Sequence, residues 1–505
     1  MTSLDLIIEV KNNYSELIIS PGIDSDKKNF IYKSVIKIAT GSYIHFYKTE
    51  RVKKEILLYN NGFNLVPTGL LNSFVELIKD TISFDYRDQR EFYPAVPIPI
   101  KFPYDLDDKQ KEAIEVGLEN RRGYFKAATG AGKTSIIAAL IAEIGGPSLV
   151  LVPWTDLTDQ IAKDLEEFLN IPIWKIQGKE SLYCPPDTDV AVASIDTLWA
   201  NIDLLKIEGW FNQFHSVYAD ECHHISYTKE RVKRDGRKII KRSPPGVTLY
   251  YSLLMECKAF NRFGFTATDE DSELYIEAAL GQKLIDIDED YLISTGRLSK
   301  PYVIIYRHKI PFYDNEREAT KQTIYLNEER NLILINAMKI ITEMGGSVLF
   351  MLDSKKYQLD QIENWTHFPI LTGDSSNKDR IKVYDQLKNK EISGIILTIG
   401  KEGLNIPSVD CIIRASGKKS IRLIKQEKGR GARIAPNKNR YIIIDTFDDD
   451  GFQKIRRDDG KWRTKKGYMA KQSQERLDIY SSIKSAEITI VDSFELLAQR
   501  IKEVF

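Results

Sequence analysis

Residues 125–134 read FKAATGAGKT, and an apolar run from 135 to 144 follows them. A strand-like entry, a loop of small residues ending in Gly-Lys-Thr and an apolar helical pattern are together typical of a phosphate-binding loop. Backbone N–H groups of the loop and of the helix N-terminus would point at the phosphates. Lys133 would reach the β and γ phosphates, and the hydroxyl of Thr134 would hold Mg²⁺. The predicted nucleotide-binding residues of this loop are Thr129, Gly130, Ala131, Gly132, Lys133 and Thr134.

The composition of the 505-residue chain is that of a globular protein, and 42% hydrophobic residues argue against wholesale disorder. Lys plus Arg and Asp plus Glu number 72 each, so a nucleic-acid surface must be a local patch. No secretory signal or apolar membrane span is visible, and we expect a cytoplasmic protein, in the host cytoplasm if phage-encoded. Four cysteines without metal-ligand or disulfide spacing agree with that compartment: Cys184, Cys222, Cys257 and Cys411.

Residues 1–100 carry short alternating apolar and polar stretches separated by turn residues. The alternation at 4–10 and 34–40 indicates strands, and the pattern at 70–79 indicates a helix. We therefore expect a small α+β accessory domain at the N-terminus. The proline-containing segment 96–104 is expected to link it to the next domain.

Strand, loop and helix recur in this order after the linker. Apolar strands are predicted at 148–153 and 190–194, and a helix is predicted to open at 155. This alternation favours an α/β domain with a doubly wound parallel sheet. Hydroxyl and main-chain donors at the strand ends, in 155–160 and 194–198, suit the phosphate oxygens of a nucleic-acid strand.

An acidic pair, Asp220 and Glu221, follows the short apolar strand 216–219. At the carboxyl end of a parallel strand beside the phosphate loop, Asp220 would hold Mg²⁺ through water, and Glu221 would orient and activate the attacking water. His223 would link this site by hydrogen bonds to the Thr-Ala-Thr stretch at 266–268. Metal ligation by Cys222, His223 and His224 is disfavoured, because the spacing lacks a second pair of ligands.

The second half of the chain repeats the strand and helix alternation. An acidic stretch at 286–290 is interpreted as a link, and strand alternation resumes at 303. Buried strands are predicted at 347–352, 370–373 and 395–398, and a last strand of this series is predicted at 441–445, with a strand and a closing helix at 487–505. Because it lacks a second phosphate loop, this half would close on the nucleotide held by the first.

Two basic segments lie outside the predicted sheets. Residues 229–242 hold an Asp-Gly pair at their centre, which predicts a hairpin. Residues 454–471 are basic and include Trp462 and Tyr468, which suits phosphate contact and base stacking. Each segment could grip nucleic acid or could equally be a solvated surface loop.

The motifs together resemble those of superfamily 2 helicases and translocases, in the group that includes UvsW-type phage recombination helicases, RecG-like remodelers and XPB-like motors. The phosphate loop is similar to the A-x-T-G-x-G-K-T variant of that superfamily, and the acidic pair and His223 match its DEAH or DExH pattern. Residues 398–407 resemble the fifth helicase motif, and 426–433 match Q-x-x-G-R-x-x-R at every fixed position. The resemblance implies two tandem RecA-like doubly wound parallel-sheet domains with ATP in the cleft and nucleic acid across both.

The same resemblance implies further site residues in the C-terminal half. Thr398 would contact nucleic acid, and Gly403 and Asn405, together with Gln426, would lie near the nucleotide. Arg430 and Arg433, three residues apart on one helix face, suit fork-like contact with the γ phosphate. Arg433 is the expected arginine finger, with Arg430 beside it.

An adenine-reading glutamine is expected at the start of the first motor domain. By the resemblance Gln110 fits that place, although Lys109 stands where an aromatic residue is usual, so Tyr104 or Phe102 would stack on the base. The alternative is an ordinary helix-surface glutamine. The run 62–71 resembles the N-terminal domain of UvsW-type helicases, which implies contact with duplex DNA. The alternative is a purely structural domain.

The expected domains are 1–100 as the accessory domain, 101–290 as the first motor domain and 291–505 as the second. The expected function is an ATP- and Mg²⁺-dependent DNA helicase or translocase that unwinds or branch-migrates forked and junction DNA, with single-strand contacts through the motor loops. An RNA helicase is the first alternative, and a nucleotide-switched clamp that binds DNA without translocating is the second. A small-molecule kinase is disfavoured, because it would not need Arg430 and Arg433 on a second RecA-like half.

Overall fold

The computed structural model describes most of the chain and divides it into two compact units, the first formed by 1–128 and 132–287 and the second by 288–505 together with 129–131. The described residues are 4–47, 50–57, 65–92, 96–100, 105–177, 182–183, 188–228, 231–235, 238–243, 246–268, 273–313, 315–353, 355–398, 409–417, 440–456 and 462–505.

The N-terminal part of the first unit is a small α+β module, as the sequence predicted. Its mixed four-stranded sheet has the order Leu65–Pro67, Tyr14–Ile19, Leu6–Val10, Phe84–Asp88. The helices Ser25–Ala39 and Leu71–Ile78 accompany it, and Thr40–Tyr47 pairs with Glu50–Leu57 in a separate antiparallel hairpin. The prediction of a strand at 34–40 was wrong. Ile31, Ser34 and Val35 have helical and not alternating spacing, and they form the buried face of a helix.

This module shares a continuous core with the parallel-sheet domain that follows it. The guanidinium of the fully buried Arg262 donates to the carbonyls of Leu254, Cys257 and Ala279 and to Oδ1 of Asn13 in the module. A Cβ built on Gly69 would lie 1.8 Å from the carbonyl oxygen of Glu277, so only glycine permits this approach. The module is therefore fixed on the first motor domain.

The first parallel sheet has seven strands. Across the sheet they are Lys283–Ile287, Arg122–Ala127, Asn261–Thr266, Ser216–Ala219, Ser148–Val152, Val190–Ser194 and Ile173–Ile176. Its helices are Asp108–Asn120, Lys133–Ile144, Thr155–Leu169, Ile195–Ala200, Ile202–Ile207, Leu249–Glu256 and Glu273–Leu280. The chain moves outward from Arg122–Ala127 in one direction and later returns past it, which places helices on both faces of the sheet.

The second unit contains another sheet of seven parallel strands. Across the sheet they are Ile370–Leu371, Gly394–Thr398, Val348–Leu352, Cys411–Arg414, Arg440–Asp449, Lys300–Lys309 and Glu487–Val491. Its helices are Glu289–Ser294, Glu316–Thr320, Glu328–Glu343, Asp360–Ile362, Asn377–Lys388, Tyr468–Ser481 and Phe494–Val504. Two parallel-sheet domains and a small N-terminal sheet domain are the predicted tandem RecA-like architecture.

The acidic stretch 286–290, interpreted as a link, contains the boundary between the two units. It ends the strand Lys283–Ile287 and opens the helix Glu289–Ser294, whose N-cap is Asp288. Asp288 and the acidic first turn favour a helix start there. The strand predicted at 441–445 and the strand and helix predicted at 487–505 are confirmed, and Arg440–Asp449 and Glu487–Val491 pair in parallel with opposite sides of Lys300–Lys309.

Both basic segments contain antiparallel hairpins. Arg231–Asp235 pairs with Lys238–Ser243, with Asp235 opposite Lys238, so the predicted hairpin is confirmed. Phe452–Arg456 pairs with Trp462–Lys466, and Tyr468 begins the following helix, so the described residues of this segment form strands and a helix start. Among the described helices, none combines the length and the apolarity that crossing a bilayer requires.

Candidate active site

The phosphate loop joins the strand Arg122–Ala127 to the helix Lys133–Ile144. Gly130 has φ +94° and Gly132 has φ +79°, a conformation that residues with a Cβ adopt at a cost. Gly132 is the N-cap of the helix, and its carbonyl accepts from the N–H groups of Ser135 and Ile136. The Gly-Ala-Gly sequence therefore turns the chain so that Lys133 and Thr134 open the helix, where anions bind readily.

The strands that carry the other motifs lie beside this one in the sheet. Asn261–Thr266 pairs with Arg122–Ala127 on one side and with Ser216–Ala219 on the other. Because all three are parallel, the phosphate loop, the residues after Thr266 and the acidic pair meet at one edge of the sheet. Nζ of Lys133 lies 3.0 Å from Oε1 of Glu221. The predicted residues Lys133, Asp220 and Glu221 are thus brought together.

The charges of this cluster perturb one another. Burial raises the pKa of Asp220 to about 6, with the Lys133 charge opposing and the Glu221 charge reinforcing the rise. Burial also disfavours the ionised form of Glu221, but Lys133 and His223 outweigh it and hold the pKa of Glu221 below its ordinary value. The pKa of Lys133 is raised, since the two carboxylates overcome the opposing effect of burial. At neutral pH the site therefore holds an ammonium facing a carboxylate.

The residues of the cluster fit a bound Mg²⁺. Oδ1 of Asp220 is buried and has no hydrogen-bond partner within the described part of the chain. A buried carboxylate oxygen in this condition is costly unless a cation or donor satisfies it. Hard oxygen donors of carboxylate and hydroxyl type, here Asp220 and Thr134, are those that Mg²⁺ prefers. No group of three or more His, Cys, Asp or Glu residues with metal-binding geometry occurs among the described residues.

His223 links the acidic pair to the neighbouring strand. Its Nδ1 lies 2.9 Å from Oγ1 of Thr266 and 3.3 Å from Oε2 of Glu221. Oγ1 of Thr266 also donates to the carbonyl of Thr268 at 2.6 Å. The hydrogen-bonded link predicted between His223 and the Thr-Ala-Thr stretch is therefore confirmed. Glu221 itself has φ +47°, an unusual conformation for a residue with a side chain.

Tyr250 supports the acidic pair through a contact that the sequence analysis did not predict. Its buried hydroxyl lies 2.7 Å from the carbonyl oxygen of Asp220 and 2.8 Å from that of Leu151. The hydroxyl thereby ties together the ends of two adjacent strands, directly behind the acidic pair. No motif marks Tyr250, because it lies in the helix Leu249–Glu256, which packs under the site from a distant part of the sequence.

Gln110 has a structural role that the sequence did not resolve. It is 1% exposed, so the helix-surface interpretation was wrong. Its Oε1 accepts from the N–H of Asp107, whose carboxylate accepts from the N–H of Gln110, forming a capping box. Tyr104 and Phe102 lie outside the described residues.

The predicted site residues of the C-terminal half also lie outside the described residues. These are Gly403, Asn405, Gln426, Arg430 and Arg433. Thr398 is described as the last residue of the strand Gly394–Thr398, at the carboxyl edge of the second sheet.

Two helicase family models match the chain. The Type III restriction enzyme, res subunit, model matches residues 103–271, and the helicase conserved C-terminal domain model matches 329–435, together more than half of the chain. The Rad25 protein of Halobacterium salinarum is 22% identical over 347 residues, which cover 66% of this chain and 53% of that protein. The chain thus spans about half the length of this relative.

Two other proteins are similar to the chain. The ATP-dependent DNA helicase uvsW of Enterobacteria phage T4 is 37% identical over 125 residues, or 23% of this chain and 24% of that protein. The structure of the ATP-dependent Type ISP restriction-modification enzyme LlaBIII bound to DNA covers 95% of this chain and 42% of its own, with 15% identity and a TM-score of 0.50. The helicase models match both halves in the order that the motifs predict, and the chain belongs to the superfamily 2 helicases.

Proposed function

We propose that the chain is an ATP- and Mg²⁺-dependent DNA helicase or translocase that remodels forked and junction DNA. The observation that carries the ATPase part is the cluster of Lys133, Asp220 and Glu221 at the N-terminus of the helix Lys133–Ile144, with a buried oxygen on Asp220 that has no hydrogen-bond partner in the described part of the chain. Cytoplasmic location and the domains 1–100, 101–290 and 291–505 are part of this proposal.

Each residue of the cluster has a distinct task in ATP hydrolysis. Lys133 binds the β and γ phosphates, exchanging its contact with Glu221 for the triphosphate, and the loop residues from Thr129 to Thr134 donate backbone N–H groups. Thr134 and Asp220 would hold Mg²⁺, which would supply positive charge beside the phosphate oxygens. Glu221, ionised at neutral pH and released from Lys133, orients the attacking water and accepts its proton.

Residues of the second motor domain would complete the site. Arg433, with Arg430, stabilises charge on the γ phosphate as the bond breaks, a role worth about a thousandfold or more in related sites. Gly403, Asn405 and Gln426 lie near the nucleotide in the same proposal, which rests on their motif positions. Gln110 reads adenine in the same proposal, which for this residue also rests on its motif position.

The DNA assignment is supported by the family and by the placement of basic strands. The hairpin of Arg231–Asp235 and Lys238–Ser243 is rich in lysine and arginine, which neutralise backbone phosphates. The fixed N-terminal module would hold duplex in constant register with the first motor domain. The preference for forked or junction DNA is the finer part of the proposal, and it rests on the resemblance of the motifs to those of UvsW-type helicases.

ATPase turnover measured against single strands, duplex, forks, four-way junctions and RNA, each at two salt concentrations, tests this proposal. We expect the greatest stimulation by branched DNA, and weaker grip at higher salt. Lys133→Ala should abolish turnover, and Lys339→Ala, a helix lysine of the second unit, is the matched control. Stimulation by RNA but not by any DNA would show that the DNA assignment is wrong.

A further inference from the structure

A large aromatic side chain is exposed at the sheet edge that carries the candidate active site. Trp154 follows the strand Ser148–Val152 and is the N-cap residue of the helix Thr155–Leu169. It is 41% exposed, whereas Trp174 and Trp210 are 3% and 8% exposed in the core. An indole is costly to leave in water, and a flat apolar face at such a place is suited to stacking on a nucleobase.

A cluster of hydroxyl groups adjoins Trp154. Oγ1 of Thr155 lies 3.4 Å from Oγ of Ser194, which lies 2.8 Å from Oγ1 of Thr197. Ser194 ends the strand beside Ser148–Val152, with Val152 opposite it in the parallel register. Ser194 is buried, but Thr155 is exposed and Thr197 is half-buried, and accessible hydroxyl groups of this kind donate to phosphate oxygens without reading the base. The same short edge thus offers a stacking face and backbone donors, which is the chemistry of single-strand binding.

A chain of ring contacts connects Trp154 to the acidic pair. The rings of Trp154 and His224 meet edge to face with centroids 5.4 Å apart, and the rings of His224 and His223 lie 4.2 Å apart. His223, 1% exposed, reaches Glu221 and Thr266 through Nδ1. A base that presses on Trp154 therefore acts on groups packed in series up to the residue that orients the attacking water.

We propose that Trp154 is a base-stacking platform for a single strand, and that its occupancy is transmitted to Glu221 through His224 and His223. The proposal deepens the motor function and rests on it. It assigns single-strand contact to a base face in addition to phosphates, and it makes Trp154 and His224 positioning residues for Glu221. His224 acts through His223 and does not itself touch the nucleotide.

Binding of oligo-dT compared with an abasic oligonucleotide of equal length and charge tests the stacking. We expect the wild type to prefer oligo-dT by about 5- to 150-fold, the range for stacking one base on an aromatic ring. Trp154→Ala should lose this preference and Trp154→Phe should keep most of it. Tyr183→Ala, an exposed aromatic of the same unit, is the matched control, with preference and basal turnover unchanged. Quenching of tryptophan fluorescence by oligo-dT should be reduced in Trp154→Phe.

The transmission is tested by turnover at saturating oligo-dT. His224→Ala should keep the preference for oligo-dT over the abasic strand but lose most of the stimulation of ATP hydrolysis. Equal preference in the wild type and in Trp154→Ala would overturn the stacking proposal, and full stimulation in His224→Ala would overturn the transmission. A wild type that neither binds nor responds to any DNA would instead overturn the motor function itself, and the stacking with it.

Discussion

The two parallel sheets both carry carboxylates at the edge where their strands end, but the hydrogen bonding of these carboxylates differs. In the first sheet, Asp220 is buried with an unsatisfied oxygen, and Glu221 adopts a left-handed backbone conformation. In the second sheet, the carboxylate of Asp445 at the corresponding edge accepts from Arg414, Arg476 and the hydroxyl of Tyr480.

The network in the second sheet is nearly closed. Arg476 also donates to the carbonyl of Thr446 at 2.6 Å, and Arg330 donates to Asp448 at 2.9 Å and to Oγ1 of Thr446 at 2.7 Å. Arg330, Arg414 and Arg476 are each at most 1% exposed. The charges of this network are therefore paired within the protein, as buried charges must be if they are not to destabilise the fold.

The comparison of Asp220 with Asp445 shows that the same position in two similar sheets can have a functional role in one and a structural role in the other. Parallel strands bring polar residues to one edge in both domains, so position alone does not distinguish the two sites. Hydrogen bonding distinguishes Asp220 from Asp445, because a buried carboxylate oxygen without a partner is costly unless a ligand or cation satisfies it. Substitutions at the first edge should therefore reduce activity more than stability, and those at the second the reverse.

The largest effect is expected for Glu221→Gln. Loss of the group that orients and deprotonates water should lower turnover of ATP by about 100- to 10,000-fold. The free energy of unfolding should change by about 1 kcal/mol or less, because the ion pair with Lys133 is partly open to solvent. Steady-state ATPase assays and thermal unfolding measure the two quantities. Glu256→Gln, which breaks the surface pair with Lys206, is the control, and a Glu221→Gln enzyme within tenfold of wild type would contradict the assignment.

Asp445→Asn should have the opposite profile. It removes the counter-charge of the buried Arg414 and one of the two carboxylates beside the buried Arg476, which keeps Asp448, at a cost of about 3–5 kcal/mol. Hydrogen exchange of peptides from the strand Arg440–Asp449 reports on this unit alone and should speed up accordingly. Glu503→Gln, at an exposed pair with Arg500, is the matched control. Unchanged exchange in Asp445→Asn would mean that the network does not stabilise the second unit.

A smaller effect concerns acid pH. Burial alone would raise the pKa of Asp445, but Arg476 and Arg414 hold it below the ordinary value of 3.8. A lowered pKa in the folded state adds stability that is complete above the ordinary value and is lost as the pH falls through the lowered one. The difference in exchange between the wild type and Asp445→Asn should therefore shrink below pH 3.8. A difference that is constant from neutral to strongly acid pH would exclude this origin.

The first edge was predictable from sequence to a greater extent than the second. Each of these features carries a local signal in the sequence. The phosphate loop has its glycines before Lys-Thr, the acidic pair follows an apolar strand, and the hairpin has an Asp-Gly pair. Arg330, Asp445 and Arg476 carry none, since their partners are distant in sequence and their identities are common on surfaces. The roles of Tyr250 and Arg262 could not be predicted from the sequence for the same reason. Part of the helix Ser25–Ala39 was predicted as a strand, because the mixed polarity of residues 34–40 was interpreted as strand-like alternation.

The smallest effect expected concerns the hydrogen bond between the two motifs of the first edge. Thr266→Val keeps the shape of the side chain but removes the hydroxyl that bonds His223 and Thr268. One net hydrogen bond corresponds to about a two- to tenfold loss of DNA-stimulated turnover. Thr268→Val removes a buried hydroxyl that has no partner in the described part of the chain, so it should cost less than Thr266→Val. A double-mutant cycle of Thr266→Val with His223→Ala should be non-additive, because both remove the same bond. If the two losses simply add, Thr266 and His223 act separately, and the coupling between the acidic pair and the Thr-Ala-Thr stretch does not run through this contact.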